Sequence, residues 1–197
     1  MCGRYVNVAS TANLTVEFAI EETLNEDLAP SWNIAPTDPV RIITYRRPHD
    51  ADDDADPVRQ LRTVRWGLVP TWSKTRKPNL SMINARVETV TSKPAFKTAA
   101  GRRRAVVPAL GYYEWQSTER GKVPHFLHEA SNEPVAFAGL YEVWRDPDLP
   151  DDHPDKWLWT NTIITRLATD ALGHIHDRCP VLVPPDLYDA LALECPS

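Results

Sequence analysis

The sequence predicts an α+β fold, with residues 1–197 forming a single domain on a strongly bent, barrel-like mixed β-sheet with a few short peripheral helices. Three observations predict it. Roughly seven or more segments carry strand patterning, against a few with a helical period. These segments show no regular βαβ alternation, no internal repeat and no clear interdomain linker. Eighteen prolines against seven glycines point to many rigid, irregular connections rather than long regular elements.

Each element follows from its local chemistry. In "STANLTVEFAIEE", Ser10 and Thr11 offer helix N-caps, and Leu14 and Phe18 recur at i, i+4, so an amphipathic helix is expected. "APSWNIAPTDPV" is a proline-rich extended approach to the short strand "RIITY". The acidic run "PHDADDDADP" (residues 48–57) reads as a solvated hairpin tip or loop. "VRQLRTVRWGLVPTW" alternates as a strand and then enters a proline-terminated loop. "SKPAFKTAA" is a short helix. "RRRAVVPALGYYEWQ" reads as strand, as does "VPHFLHEASNEPVAFAGLYEVW", the latter two strands joined by an Asn-Glu-Pro turn. "WLWTNTIITR" is a further strand, "ATDALGHI" a short helix, "CPVLVP" a strand, and "PPDLYDALAL" a closing helix with proline at its start.

Hydrophobic residues at 42% and charged residues at 25% are ordinary globular values, so the chain can bury a core of its own. Three cysteines, Cys2, Cys179 and Cys195, make no disulfide framework, and without a CxxC pair they suggest no zinc. No metal and no cofactor are expected. The N-terminus lacks a basic region followed by an apolar one, and no apolar run approaches the roughly 18 residues that span a bilayer. The expectation is a soluble cytoplasmic monomer with no membrane partner.

The net charge of −5 conceals a segregation. Residues 1–56 carry a net −7 and residues 105–197 a net −9, whereas residues 57–104 carry +11, with Glu88 their single acid. Such a block is the kind of footprint that binds phosphates, unless folding scatters it over several faces.

The first residues, MCGRYV, raise a chemical question. Met1 precedes a small residue, so an aminopeptidase is expected to remove it. Cys2 would then present a thiol and a free α-amine on one Cα. Both groups can attack a single aldehyde and close a five-membered thiazolidine. Their ordinary pKa values, roughly 8 for the amine and 8.5 for the thiol, leave both close to reactive at neutral pH. The competing reading is a small apolar residue buried at the start of a strand.

Three further stretches each set one catalytic-type residue among apolar neighbours: Asn84 in "INARVET", Glu114 in "GYYEW" and His176 in "HIHDRCPVLV". Between aromatic residues, Glu114 would have its pKa raised by desolvation and suit proton transfer; facing outward, it would be an ordinary surface residue. His176 beside Asp177 and Arg178 reads either as a catalyst or as a satisfied structural histidine. Asn84 beside Arg86 and Glu88 reads either as a site residue or as part of a turn or surface ion-pair strand.

Taken together, "MCGRY", "WNIAPT", "RWGLVPTW", "INARVET", "GYYEW" and "IHDRCPVLV" resemble, in order and over about 180 residues, the motifs of the SRAP (SOS response-associated peptidase) family. These proteins shield abasic sites in single-stranded DNA. The resemblance implies that the Cys2 amine attacks C1′ of the ring-opened abasic sugar and that the thiol closes the Schiff base to a thiazolidine. It implies that Asn84 orients the amine and the substrate, that Glu114 is general acid/base, and that His176 assists ring opening and proton transfers. It also implies weak β-elimination at the 3′ phosphate and autopeptidase exposure of Cys2.

Arg4 and Arg86 would grip phosphates around the lesion. Trp66, Trp72 and Trp115 would stack on or wedge between bases, or else pack in the core. Arg102–Arg104 reads as a peripheral, solvated strand start. Two features depart from the family's pattern. Cys179 stands where methionine is usual, and the chain stops after "LALECPS", short of the family's C-terminal strand segment. Two other classes compete: an N-terminal-nucleophile thiol amidohydrolase or peptidase, which leaves the basic block unexplained, and a non-catalytic single-strand-binding module with a structural Cys2.

Overall fold

A strand that is half buried shows its side chains alternately to core and solvent, and that alternation organises the chain into two connected sheets. The computed structural model describes residues 2–24, 27–48, 52, 54–77, 79–169 and 173–188. In chain order the elements are β1 (Arg4–Asn7), α1 (Thr11–Glu17), β2 (Glu22–Leu24), β3 (Ser31–Ile34), β4 (Pro39–Arg46) and β5 (Val58–Trp66). There follow β6 (Asn84–Arg86), α2 (Pro94–Arg102), β7 (Arg104–Ala109), β8 (Gly111–Thr118), β9 (Gly121–His128), β10 (Val135–Arg145), β11 (Trp157–Leu167) and β12 (Arg178–Pro180).

The larger sheet runs β12-β11-β10-β7-β4-β5-β2. A parallel pairing of β11 with β5, Thr160 to Arg65 and Asn161 to Trp66, joins its two arms. Strands β4, β5, β11, β10 and β7 thereby close into a five-stranded mixed barrel. The smaller sheet, β3-β1-β8-β9, is antiparallel throughout. With few short helices around a bent mixed sheet, the architecture is the expected α+β one.

Inward positions of the barrel strands supply the main core: Val40, Ile42, Val64, Trp66, Val107, Phe137, Tyr141 and Ile163 pack with Cys2, Tyr5 and Tyr112 of the smaller sheet. Full burial of each large apolar side chain is worth roughly 1.5–3 kcal/mol. Outward positions are covered by the helices. Ser10 caps α1 by accepting the Asn13 N–H at 3.1 Å. Leu14 of that helix and Phe18 just beyond it then lie on Ile43, Leu61 and Val106. Helix α2 begins with Pro94, where its missing N–H costs nothing, and sets Phe96 and Ala99 against Leu68, Ala85 and Leu140.

Several local expectations change. "RRRAVVPALGYYEWQ" is two strands in different sheets: β7 ends at Ala109, the Leu110 N–H donates to the Val6 carbonyl at 2.7 Å, and the chain crosses into β8. Strands β9 and β10 are not a hairpin; β9 pairs with β8, and β10 with β7 and β11. The turn between them is real, with Asn132 in the left-handed region at φ 59°. No helix forms in the described part of "ATDALGHI", where residues 173–175 are a turn. Of "PPDLYDALAL" the described part holds a 3-10 turn, Pro185–Leu187, and residues 189–197, with Cys195, lie outside the described residues.

The three-residue strands β2 and β6 carry no periodicity of their own. Each forms because β5 or β11 offers it a parallel edge.

Trp66 must be corrected. It is fully buried, its indole N–H donates to the Ile83 carbonyl at 2.9 Å, and its ring meets Tyr5 edge-on at 5.3 Å. A ring so enclosed cannot stack on a base.

A second tie crosses the chain. Arg178 of β12, itself buried, forks onto Glu88 at 2.8 and 3.0 Å and donates to the Thr165 carbonyl at 2.6 Å. Chiefly through the hydrogen bonds from Arg178, the Glu88 carboxyl is held down at about 2, against an ordinary value of 4.5.

Two predictions follow from this packing. Trp66→Ala is expected to cost about 3–5 kcal/mol in urea denaturation, whereas Trp72→Ala, on the surface, stays within about 0.5 kcal/mol. For Glu88 the folded pKa lies below the unfolded one, so its contribution is complete above the ordinary carboxylate value and is lost as pH falls toward 2. Tm measured across that window should fall less steeply in Glu88→Gln than in the parent; equal slopes would remove the ion pair from the account.

Candidate functional site

Cys2 leads into β1, which is clamped between β3 and β8 and so carries the start of the chain into the core. The residue is fully buried. Asn84, the first residue of β6, points its amide at this point: Nδ2 donates to the Cys2 carbonyl at 2.8 Å. Strand β6 is placed by its parallel pairing with β11, Asn84 opposite Ile163. The Asn84 Oδ1 is buried as well, and no described residue donates to it. Asn84 is thus buried against the Cys2 carbonyl and is not part of a surface ion-pair strand.

Glu114 arrives from β8. Alternation along that strand turns Tyr112 and Glu114 inward and exposes Trp115. Arg4 and Tyr5 pair with Tyr113 and Tyr112, and continuing that register sets Glu114 alongside Gly3, next to Cys2. Glu114 is 2% exposed. Burial raises its carboxyl above the ordinary range, with the charge of His176 among the opposing influences. Burial first, then the Glu114 carboxylate, push the Cys2 thiol up, while a hydrogen bond from the Arg4 backbone acts the other way. Each of the two groups therefore resists ionisation, and the thiol also feels the carboxylate.

His176 sits in the turn before β12, close enough to Glu114 to act on its charge. Its Nδ1 accepts the Arg178 backbone N–H at 3.0 Å, which in the neutral ring leaves the proton on Nε2. Asp177 Oδ1 stands 2.9 Å from the same Nδ1 and can accept a hydrogen bond from it when that nitrogen carries a proton. Gln116, two residues beyond Glu114 on the same strand, donates to the His174 carbonyl at 3.4 Å and meets His125 at 3.2 Å. Gln116 and the Arg178–Glu88 pair thus anchor the histidine turn. Sequence reading missed both roles; the i+2 spacing of Gln116 from Glu114 was the one available signal.

Around this centre, Arg86 is exposed at the end of β6, and Arg4 donates to Asn33 Oδ1 at 3.0 Å. Trp72 is exposed in the loop after β5, on the same loop as the exposed Lys74, Arg76 and Lys77. Trp115 is half exposed on β8. Not all of the basic block faces solvent: the Arg62 guanidinium lies 3.9 Å above the Trp159 ring, and Arg103 pairs with Glu142 at 2.7 Å. Cys179 is a buried core residue. Among the described residues no group of three or more His, Cys, Asp or Glu could hold a metal ion, and no helix is long and apolar enough to cross a membrane.

Comparison with known proteins bears on this arrangement. The family model for SOS response associated peptidase (SRAP) matches residues 1–192. The abasic site processing protein YoqW of Bacillus subtilis (strain 168) is 35% identical over 185 residues, covering 93% of this chain and 76% of that protein. The abasic site processing protein HMCES of Gallus gallus is 31% identical over 179 residues, covering 80% of this chain and 52% of the relative. Among solved structures, a protein from Bacteroides thetaiotaomicron superposes with a TM-score of 0.80 at 20% identity, over all of this chain and 83% of the other, a likeness of fold. The chain belongs to the SOS response associated peptidase family.

Proposed function

We propose that this chain captures abasic sites in single-stranded DNA as a covalent adduct on Cys2. The observation that carries the reading is the setting of Cys2: a residue with two potential nucleophiles, held by the Asn84 amide through its carbonyl and standing beside a carboxyl whose pKa burial has raised. The relatives named abasic site processing proteins support the same substrate.

Once Met1 is removed, the free Cys2 amine adds to the aldehyde carbon, C1′, of the ring-opened sugar and gives a carbinolamine. The Glu114 carboxylic acid protonates the departing hydroxyl, water leaves, and a C=N bond forms. The Cys2 sulfur then adds to the same carbon, and its proton passes to the Glu114 carboxylate. The net change is loss of one water, with Glu114 returned to its starting state. This order suits a thiol whose pKa is pushed up by burial, since the sulfur is asked to add only after the iminium carbon has been made electrophilic. Asn84 fixes the Cys2 backbone and leaves Oδ1 to accept from the amine or the sugar. The His176 ring, proton on Nε2, serves the opening of the sugar. The Schiff-base stage also permits slow β-elimination of the 3′ phosphate, and the same thiol serves removal of the residue ahead of it.

Two measurements test the reading. Single-stranded DNA with one abasic site, incubated with Met1-free protein, should give a heat-stable species whose intact mass is protein plus DNA less one water. Cys2→Ala should give none, and Cys2→Ser should form adduct at least ~10-fold more slowly, since a hydroxyl is the poorer nucleophile. An adduct that survives in Cys2→Ala would sink the mechanism, and turnover of amides by Cys2→Ser would favour an N-terminal-nucleophile hydrolase instead. For Glu114, the rate of adduct formation should show a pH limb displaced above the ordinary carboxylate value of 4.5. Glu114→Gln should lose that limb and slow by ~100-fold or more; an unchanged profile would take the proton transfers away from this residue.

A further inference from the structure

Strand β8 has two faces, and the chemistry above uses the inner one. The outer face carries a row of rings. Cross-strand register sets Arg4, Tyr113 and Phe126 side by side, with Trp115 opposite Pro124, Ser117 opposite Lys122 and Gly111 opposite His128. Tyr113 lies 6.4 Å from Trp115 and 5.1 Å from Phe126, and Phe126 stacks on His128 at 5.1 Å and 19°. Gly111 makes room for this: a Cβ there would meet the Phe126 ring at 2.8 Å and the Leu127 carbonyl at 2.5 Å. The row is open to solvent, with Trp115 and His128 exposed and Tyr113 and Phe126 partly so.

Within the strands of this face charge has one sign, the acids Glu119 and Glu129 standing outside them. Arg4 stands beside Tyr113 on β1, and Lys122 lies beyond Trp115 on β9. Strands β1, β3 and β9 contain no Asp or Glu, and the one acid of β8, Glu114, points inward. Flat rings flanked by cations suit a ligand that presents π-faces joined by an anionic backbone. The face is also continuous with the candidate site. Arg4 is two residues from Cys2, and Trp115 is the residue after Glu114. A strand whose lesion sits at Cys2 can therefore leave over the outer face of β8.

We propose that the outer face of β1, β8 and β9, with Tyr113, Phe126 and His128 extending Trp115, is a stacking platform for about two or three unmodified nucleotides on one side of the lesion. The proposal rests on the single-stranded DNA reading above. It gives this protein a sequence-tolerant grip on undamaged bases, separate from the covalent chemistry.

The test uses full-length Cys2→Ala, which cannot trap the lesion, with single-stranded oligonucleotides carrying a tetrahydrofuran abasic analogue. A single 5-iodo-2′-deoxyuridine is placed at successive positions on either side, and photo-crosslinks are mapped by peptide mass spectrometry. Crosslinks to Tyr113, Phe126 or His128 from positions on one side only are expected. Non-covalent affinity for the same DNA should fall about tenfold for Tyr113→Ala and again for Phe126→Ala, and be kept by Tyr113→Phe. Should the alanine variants fail to fold, the crosslink map on Cys2→Ala still decides.

Crosslinks confined to other residues, in a protein whose parent forms the adduct, would overturn the platform and leave the capture reading standing. Crosslinks at the platform without any adduct from the parent would do the reverse. Alanine variants that alter self-association in sedimentation but not DNA affinity would assign the face to a second copy of the chain and overturn the proposal.

Discussion

Asn84 and His176 are both placed by the pairing of one strand, β11. β11 hydrogen-bonds to β10, β12, β5 and β6 along different parts of its eleven residues. Its parallel contact with β5 closes the barrel. Its contact with β6 places Asn84, and its contact with β12 places Arg178, which in turn fixes His176 through its backbone N–H. A strand that must satisfy partners on both edges and bury Thr160 through Ile163 without a break has little freedom of register. A slip by one residue would exchange its two faces and carry both site residues away. The positions of Asn84 and His176 are thus a consequence of how the barrel closes, while β1 and β8 bring Cys2 and Glu114 from the smaller sheet.

Desolvation then sets the chemical character. Cys2 and Glu114 are both removed from water, and each resists acquiring charge because the low-dielectric surroundings oppose it; the thiol is opposed further by the Glu114 carboxylate. His176, in a half-exposed turn, is one of the groups that act against that penalty at Glu114. The Glu88–Arg178 pair shows the opposite regime: a carboxylate at the surface, bound by a forked guanidinium, is kept ionised to low pH. One pair holds the turn in place and the other supplies the reactive groups of the proposed chemistry, and the difference between them is water and a bidentate partner.

Alternation along β8 divides labour within a single strand. Glu114 and Gln116 face the core and the histidine turn; Tyr113 and Trp115 face solvent. The two proposed roles make conflicting demands, a dry pocket for proton transfer and a wet surface for a polymer, and the strand keeps them one pleat apart.

Much of this was legible in the sequence, where each signal is local. The helix at Leu14 and Phe18, the strand "WLWTNTIITR" and the two nucleophiles of Cys2 all follow from residue chemistry and spacing within about a dozen positions. What the tertiary structure alone decided involves partners far away in the chain. Trp66, Trp72 and Trp115 share a residue type and similar neighbours, yet barrel closure encloses the first and leaves the others outside. Strands β2 and β6 exist because another strand offers an edge. The sheet change at Leu110 is set by a hydrogen bond to Val6, 104 positions earlier. Local pattern carries propensity and chemistry; burial and register are properties of the closed barrel, because only closure determines which faces water can reach.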